Sequence, residues 1–484
     1  MKYDIIIIGG GLGGLTAGAK LSREGKKVLL IEQHDRPGGC ATTFRKGGFT
    51  LEVGLHEIDG PGPVDLKTKL FSELGLFDKV EFIKLPEFYH FVNDNIRITI
   101  PHDPHEAATI LKNAFPEEEK GIDSFYSQVL NPKKRGMAGE EPAGEMSVGE
   151  FLDSIISNED LKLVLLGNLG YFHDDPYSLS LTYYCAAQSR YFNGGASYIK
   201  GGSQVLSDFL ADYINSHGGK VLLNHLVTGF ITGNGEIRGV RCIKKNKRGE
   251  KMEEAWADEI IANASMPGIA SILPEDKSKI LFGLIGDKRP GASLLTVYFG
   301  FDTMLSDLGN NHYSTFVYDG SVKSQKDILI NNKGDFEKRS YTFVDYGQVD
   351  QTLAEGGKSV GALCCIDYPG NWENLTREEY NSRKEEVAQI FIRRLESIVP
   401  GISGRIIYHE VATPLTIKRY TLNPEGAVYG FEQLPFNMPV DTSSVAGNLH
   451  FASAWTRTGG GFSGAIYSGY FCALSILRKK QAVK

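Results

Sequence analysis

Residues 3–40 read YDIIIIGGGLGGLTAGAKLSREGKKVLLIEQHDRPGGC, and the fold follows from how this stretch changes its period. Tyr3 to Ile8 is a short apolar run rich in β-branched residues, the pattern of a parallel strand buried on both faces. Leu15 to Glu24 carries helical spacing, with Gly25 as its stop signal, and Lys27 to Glu32 reads as a second strand. Strand, glycine turn, helix, strand is one βαβ unit. Within it Gly9, Gly11 and Gly14 fit G-x-G-x-x-G. Gly9 permits the tight turn. Gly11, with Leu12 behind it, lets backbone approach a diphosphate, and Gly14 lets helix and strand pack closely. Free N–H groups at the helix N-terminus suit phosphate oxygens. Glu32 closes the second strand, where a carboxylate accepts ribose hydroxyls and repels a 2′-phosphate.

The residues just past Glu32 select the dinucleotide. Gln33-His34-Asp35-Arg36-Pro37-Gly38-Gly39-Cys40 brings paired glycines close behind the acidic strand end, a second close backbone approach that a simple NAD dehydrogenase does not need. The arrangement resembles the extended FAD signature of the glutathione-reductase and amine-oxidase class. FAD is therefore the expected cofactor, with Gln33, Gly38, Gly39 and Cys40 added to the residues that hold it. Near the other end, Gly447 to Ser453 reads as a strand. Trp455-Thr-Arg-Thr-Gly-Gly-Gly-Phe-Ser-Gly-Ala465 comes next, and a helix runs from about Gly464 to Leu477. The N–H groups of Gly461, Phe462, Ser463, Gly464 and Ala465 are candidates to face the flavin edge where negative charge collects on reduction.

Both chain ends and the middle supply dinucleotide-type strands, Ala257 to Ala264 among them, so two domains are interleaved. The expected fold is α/β, a Rossmann-type FAD-binding domain interleaved with an α+β substrate domain. The FAD domain takes residues 1–85, 191–280 and 436–484, and the substrate domain takes 86–190 and 281–435. Residues 64–85, 102–130 and 148–190 read as helical, and 203–216 as a helix. Strands are expected near 88–100, 220–243, 256–263, 293–301, 341–345 and 360–368. Arg377 to Ser397 is an amphipathic helix with a Thr376/Glu379 capping box. Asn131 to Met146 and the basic run Lys244 to Arg248 read as exposed loops. Val227, in the strand series after residue 220, joins the cofactor-binding set.

Composition narrows the partners. The 484 residues carry 52 basic and 59 acidic side chains, a net charge of −7, which gives no reason to expect nucleic acid. The six cysteines form no Cys-x-x-Cys and have no histidine at zinc-ligand spacing, so reduced thiols and no metal site are expected. No cleavable leader and no run of about 18 apolar residues is present, pointing to a cytoplasmic protein for which peripheral contact with a membrane surface is compatible. A second strand-GxGxxG-helix unit is absent, which excludes a built-in NAD(P)H domain and leaves the electron donor or acceptor unknown.

Several motifs together resemble the phytoene desaturase, carotenoid isomerase and retinol saturase superfamily. They are the N-terminal fingerprint, Arg36 to Phe44 (RPGGCATTF), Gly54-Leu55-His56, Thr413 to Gly430, and the GNLHFAS…GGGFSGA tail. The resemblance covers both ends well and the middle poorly. It implies noncovalent FAD and an apolar tunnel over the ring. It also implies desaturation, saturation or cis–trans isomerisation of C=C bonds in a polyene, isoprenoid or retinoid-like lipid. It places Gly54, Leu55 and His56 beside the flavin, with His56 the candidate general acid. Tyr420 and Arg457 are weaker candidates. The apolar stretch Phe151 to Leu166 is a candidate lipid mouth, alongside its plainer reading as core. Two other classes fit the same signals: a flavin amine or amino-acid oxidase, and a flavin-free prenyl-binding escort protein.

Overall fold

The computed structural model describes residues 2–54, 56–131, 146–233, 235–244, 251–436 and 439–482. Its first sheet is built on β1 (Lys2–Ile8), followed by α1 (Leu12–Arg23) and β2 (Val28–Ile31). Strands Lys220–Leu222, β2, β1 and Lys251–Ala262 run parallel in that order. The C-terminal strand Leu449–Phe451 adds beside Ile260–Ala262. The N-terminal half of Lys251–Ala262 instead pairs antiparallel with Glu236–Lys244, which pairs with His225–Gly233. Thus the strand anticipated over 256–263 begins five residues earlier, because its first half belongs to an antiparallel meander.

Helix α1 starts at Leu12 rather than Leu15. Gly13 and Gly14, left outside the helix by that expected start, are both helical and buried. A Cβ on Gly13 would lie 2.1 Å from the Ala452 carbonyl oxygen, and one on Gly469 would lie 2.1 Å from that of Gly13. Glycine here lets α1 and the C-terminal helix Gly461–Ala482 touch backbone to backbone.

The second sheet has the order Ile406–Ala412, Ser293–Phe301, Ser359–Asp367, Tyr341–Asp345, Ser314–Val317, Tyr89–Val92, Arg97–Ile100. Only Tyr89–Val92 and Ser314–Val317 pair in parallel. Helix Arg377–Leu395, started by the Thr376/Glu379 capping box, packs Val387, Phe391 and Leu395 against Val297, Phe299 and Leu363. A small third sheet joins Ile58–Asp59, Ala196–Ile199 and Phe82–Lys84.

Two expectations are corrected. The helix over 64–85 spans only Leu66–Glu73, because Gly75 turns left-handed (φ 66°) and the chain re-enters as strand Phe82–Lys84. The apolar stretch 151–166 is interior, not a lipid-facing mouth. Leu152, Leu161, Leu163, Val164 and Leu166 are fully buried. The hydroxyls of Tyr89, Tyr184 and Tyr318 donate to the carbonyls of Val164, Leu165 and Leu166 at 2.8, 2.8 and 2.9 Å, and the carbonyls of Val164 and Leu166 also accept the backbone N–H groups of Gly167 and Leu169. The loop 131–146 and the tip at 245–250 lie largely outside the described residues, as does Leu55. Among the described residues no helix is long and apolar enough to cross a membrane.

Candidate flavin site and its cavity

The first glycine loop is held from three sides. Gly9 takes φ +95°, and a Cβ there would sit 2.3 Å from the Asn263 carbonyl oxygen. The Asn263 side chain donates to the Gly9 and Gly11 carbonyls at 3.0 and 3.2 Å. Glu32 is buried, and its two carboxylate oxygens accept N–H groups from Gly10 (2.6 Å) and His34 (2.9 Å). This acid therefore braces the loop as well as standing where a ribose would be read. Sequence reasoning missed Asn263. Its position directly after a strand of the same sheet was the available signal.

Gly38 and Gly39 close onto the first loop. Gly38 donates to the Gly10 carbonyl at 2.7 Å and forms an isolated parallel bridge with Gly11. Both adopt positive φ, and a Cβ on Gly39 would lie 3.3 Å from the Gly11 Cα. Gly54 continues the approach, since a Cβ on it would lie 2.7 Å from the Cys40 carbonyl oxygen. Burial pushes the Cys40 thiol up to about 11, so it stays protonated. Val227 is buried in the same core cluster as Ile6, Ile8 and Ile31. Gln33 instead reaches the Tyr420 carbonyl at 3.2 Å.

From the opposite end of the chain, Gly459, Gly460 and Gly464 pack tightly. Their Cβ atoms would meet the Tyr183 hydroxyl at 2.5 Å, the Tyr429 Cα at 2.4 Å and the Gly459 carbonyl oxygen at 2.6 Å. The helix begins at Gly461, three residues before its expected start. Ser463 donates to Asp59, which also receives Lys67 Nζ at 2.9 Å. Lys67, fully buried, contacts Asp65 at 2.6 Å and the Tyr467 hydroxyl at 3.0 Å, and Tyr467 donates to Asp65 at 2.7 Å. Burial disfavours the charged amine, but Asp59, Tyr467 and Asp65 outweigh it and raise Lys67 above its usual range. This network ties the C-terminal helix to the segment after His56.

A cavity with about 1360 Å³ of empty space, its mouth included, opens between these loops and the second sheet. Gly54, His56, Gly460, Gly461, Phe462, Ser463 and Gly464 form part of its wall. Tyr171, Tyr183, Phe316, Tyr341, Leu294 and Ile366 supply much of the rest. His56 Nδ1 lies 3.5 Å from the Tyr171 hydroxyl, and burial lowers the imidazole to about 4, so it is neutral at pH 7. Glu57, also in the wall, is buried with Oε2 unpartnered. Burial first, then Asp59 and Glu87, raise it well above the carboxylate range, which favours its neutral form. Arg457 is exposed, and Tyr420 is 54% exposed and stacked beside His34, so neither stands in the cavity wall.

The residues present fit a flavin dinucleotide: two interlocked glycine turns and a buried acid at one end, a glycine-started helix and a deep cavity at the other. The match to the description "flavin containing amine oxidoreductase" runs over residues 12–477. The chain belongs to that family. FAD is its cofactor, held in a Rossmann-type α/β fold of the amine-oxidase class. The chloroplastic prolycopene isomerase of Daucus carota is 27% identical over 98% of this chain and 79% of its own length. The all-trans-retinol 13,14-reductase of Danio rerio is 24% identical (98% and 86%), and the neurosporene-forming phytoene desaturase of Rhodobacter capsulatus 24% (97% and 93%). These relatives support membership of the phytoene desaturase, carotenoid isomerase and retinol saturase superfamily. An oxidoreductase from Methanosarcina mazei shares the fold, with TM-score 0.67 and 18% identity over 99% of this chain and 100% of that one. Among the described residues no cluster of His, Cys, Asp or Glu is arranged to hold a metal, and the six cysteines are unpaired.

Proposed function

We propose that this oxidoreductase acts on C=C bonds of an apolar polyene or isoprenoid lipid, by saturation, desaturation or cis–trans isomerisation. One observation carries the reading: the cavity wall beside the Gly460–Gly464 loop is aromatic and aliphatic, and its acids are not available to hold an ammonium group. Burial favours the neutral form of Glu57, and Asp59 is already engaged by Lys67 and Ser463. An amine oxidase needs a polar anchor suited to a cationic substrate; the charged side chain Arg190 in this wall would repel one. The flavin-free escort reading is set aside by the family and its cofactor.

Bound FAD supplies hydride transfer at its ring. The chain contributes the rest. The glycine turns and Glu32 fix the dinucleotide end. In this reading Gly9, Gly11, Leu12, Gly14, Gly38, Gly39, Cys40, Gly54 and Leu55 hold the cofactor with Val227 and Gly461 to Ala465. In this reading His56 and Glu57, both in the cavity wall, give or take the proton that such chemistry moves. The aromatic wall excludes water. The flavin domain comprises 1–85, 191–280 and 436–484, and the substrate domain 86–190 and 281–435.

The test is anaerobic. FAD-loaded protein, oxidised or dithionite-reduced, is mixed in turn with prolycopene, all-trans-retinol and putrescine while flavin absorbance and products are followed. Conversion of a polyene supports the reading. Bleaching by the amine, with the polyenes unchanged, overturns it.

A further inference from the structure

Arg190, on helix Leu181–Gly194, lines the cavity together with Tyr183 and Tyr191 of the same helix and with Gly461 and Ser463. Its guanidinium lies over the Tyr467 ring, 4.7 Å from the centroid. Among the described residues it makes no hydrogen bond or ion pair. The acids near it are spoken for. Asp59 receives Ser463 and Lys67, while Asp65 receives the Lys67 backbone N–H, Lys67 Nζ and Tyr467. Two carboxylates and one ammonium leave that cluster at −1, so the positive charge of Arg190 is tolerated at longer range. Its five N–H donors still lack an acceptor. The neighbouring hydroxyls of Tyr183 and Tyr191 stay protonated, because burial raises both.

This inference rests on the lipid reading above and narrows it. We infer that Arg190 receives the carboxylate of an amphipathic substrate, an apolar unsaturated chain ending in a single acidic group, and so sets how that chain lies in the cavity. A planar guanidinium matches a carboxylate with two parallel hydrogen bonds, and stacking on Tyr467 fixes its plane. A diphosphate fits poorly. Lys67 is committed to Asp59 and Asp65, so a second negative charge would meet those carboxylates with no further lysine or arginine among the described residues of the wall. The chain itself would lie along Tyr171, Phe316, Leu294, Tyr341 and Ile366.

The experiment needs no turnover. FAD-loaded full-length protein is titrated at pH 8 with the fluorescent polyene cis-parinaric acid and, separately, with its methyl ester. Wild type is expected to bind the acid at least tenfold more tightly than the ester. Arg190→Gln is expected to bring the acid down to the ester's affinity and leave the ester unchanged, with Arg190→Lys between. Equal binding of acid and ester, or parallel weakening of both in Arg190→Gln, overturns the anchor. Failure of both probes to bind wild type overturns the lipid cavity itself. Flavin absorbance checks that the variants are loaded. If Arg190→Gln does not fold, the wild-type acid-to-ester ratio and Arg190→Lys decide.

Discussion

Replacing Lys67 by Met should unbalance the centre of the molecule. The Lys67 side chain is 0% exposed and joins Asp59 at 2.9 Å and Asp65 at 2.6 Å. Met keeps the length and apolar stem but leaves two buried carboxylates without their cation. Removing one partner of a buried ion pair typically costs about 3–5 kcal/mol, because the remaining charge is uncompensated. At ~2.1 cal/mol/K per residue, unfolding entropy for a chain of this size is about 1 kcal/mol/K, so the expected drop in Tm is about 3–5 °C at pH 7. The sign with pH comes from linkage. Without the ammonium, nothing offsets the two buried carboxylate charges, and protonating either one relieves the cost of burying them. The penalty therefore grows as pH rises and shrinks as acid neutralises the pair. The Tm deficit of Lys67→Met should shrink steadily between pH 7 and pH 5. Adding Asp59→Asn should recover part of it, since neighbours in one network are not additive. Differential scanning calorimetry of holoprotein at matched FAD concentration measures all three. A deficit below about 1 °C, or one independent of pH, would refute the reasoning, because a neutral or solvent-screened cluster behaves that way.

Glu57→Gln should be neutral near pH 5. It should become stabilising relative to wild type as pH rises, because a raised folded pKa makes wild-type stability fall above the unfolded value of 4.5; Tm against pH from 5 to 9 tests this, and parallel curves would contradict it. His56 is depressed to about 4, so wild type should lose stability as pH falls from about 6.5 toward 4, and His56→Gln should flatten that limb in the same scans. Gly13→Ala should abolish yellow, soluble protein, since its Cβ would lie 2.1 Å from a backbone oxygen, whereas Gly229→Ala, with nothing within 4 Å, should retain FAD absorbance. Yellow protein from Gly13→Ala would mean that the chain at Ala452 is free to move away from α1.

The turns were readable because their chemistry is local. Gly9, Gly38 and Gly39 each take positive φ within a few residues of the strands that frame them, and no distant contact is needed to foresee that. Helix starts were harder. Gly13, Gly14 and Gly461 look like punctuation, but the first two are helical interior because a partner backbone presses on Gly13 and the Gly9 carbonyl on Gly14. The stretch 151–166 shows the converse: an apolar run reads alike whether it faces lipid or core, and only the tyrosines reaching its carbonyls from residues 89, 184 and 318 fix it inside.

By itself, then, the sequence determined the strand–glycine–helix cradle, the acid that closes it, and the cofactor they imply, since these depend on backbone freedom within one βαβ unit. The polar core and the cavity were decided by tertiary structure alone. Ser463 meets Asp59 across 404 residues, Tyr467 meets Lys67 across 400, and Asn263 reaches Gly9 across 254. A buried charge has no signature in one dimension, because whether Lys67 is solvated or paired depends on which segments the sheets bring together. For the same reason Arg190 reads on the chain as one more helical cation and becomes a binding group only where the wall around it leaves its donors open.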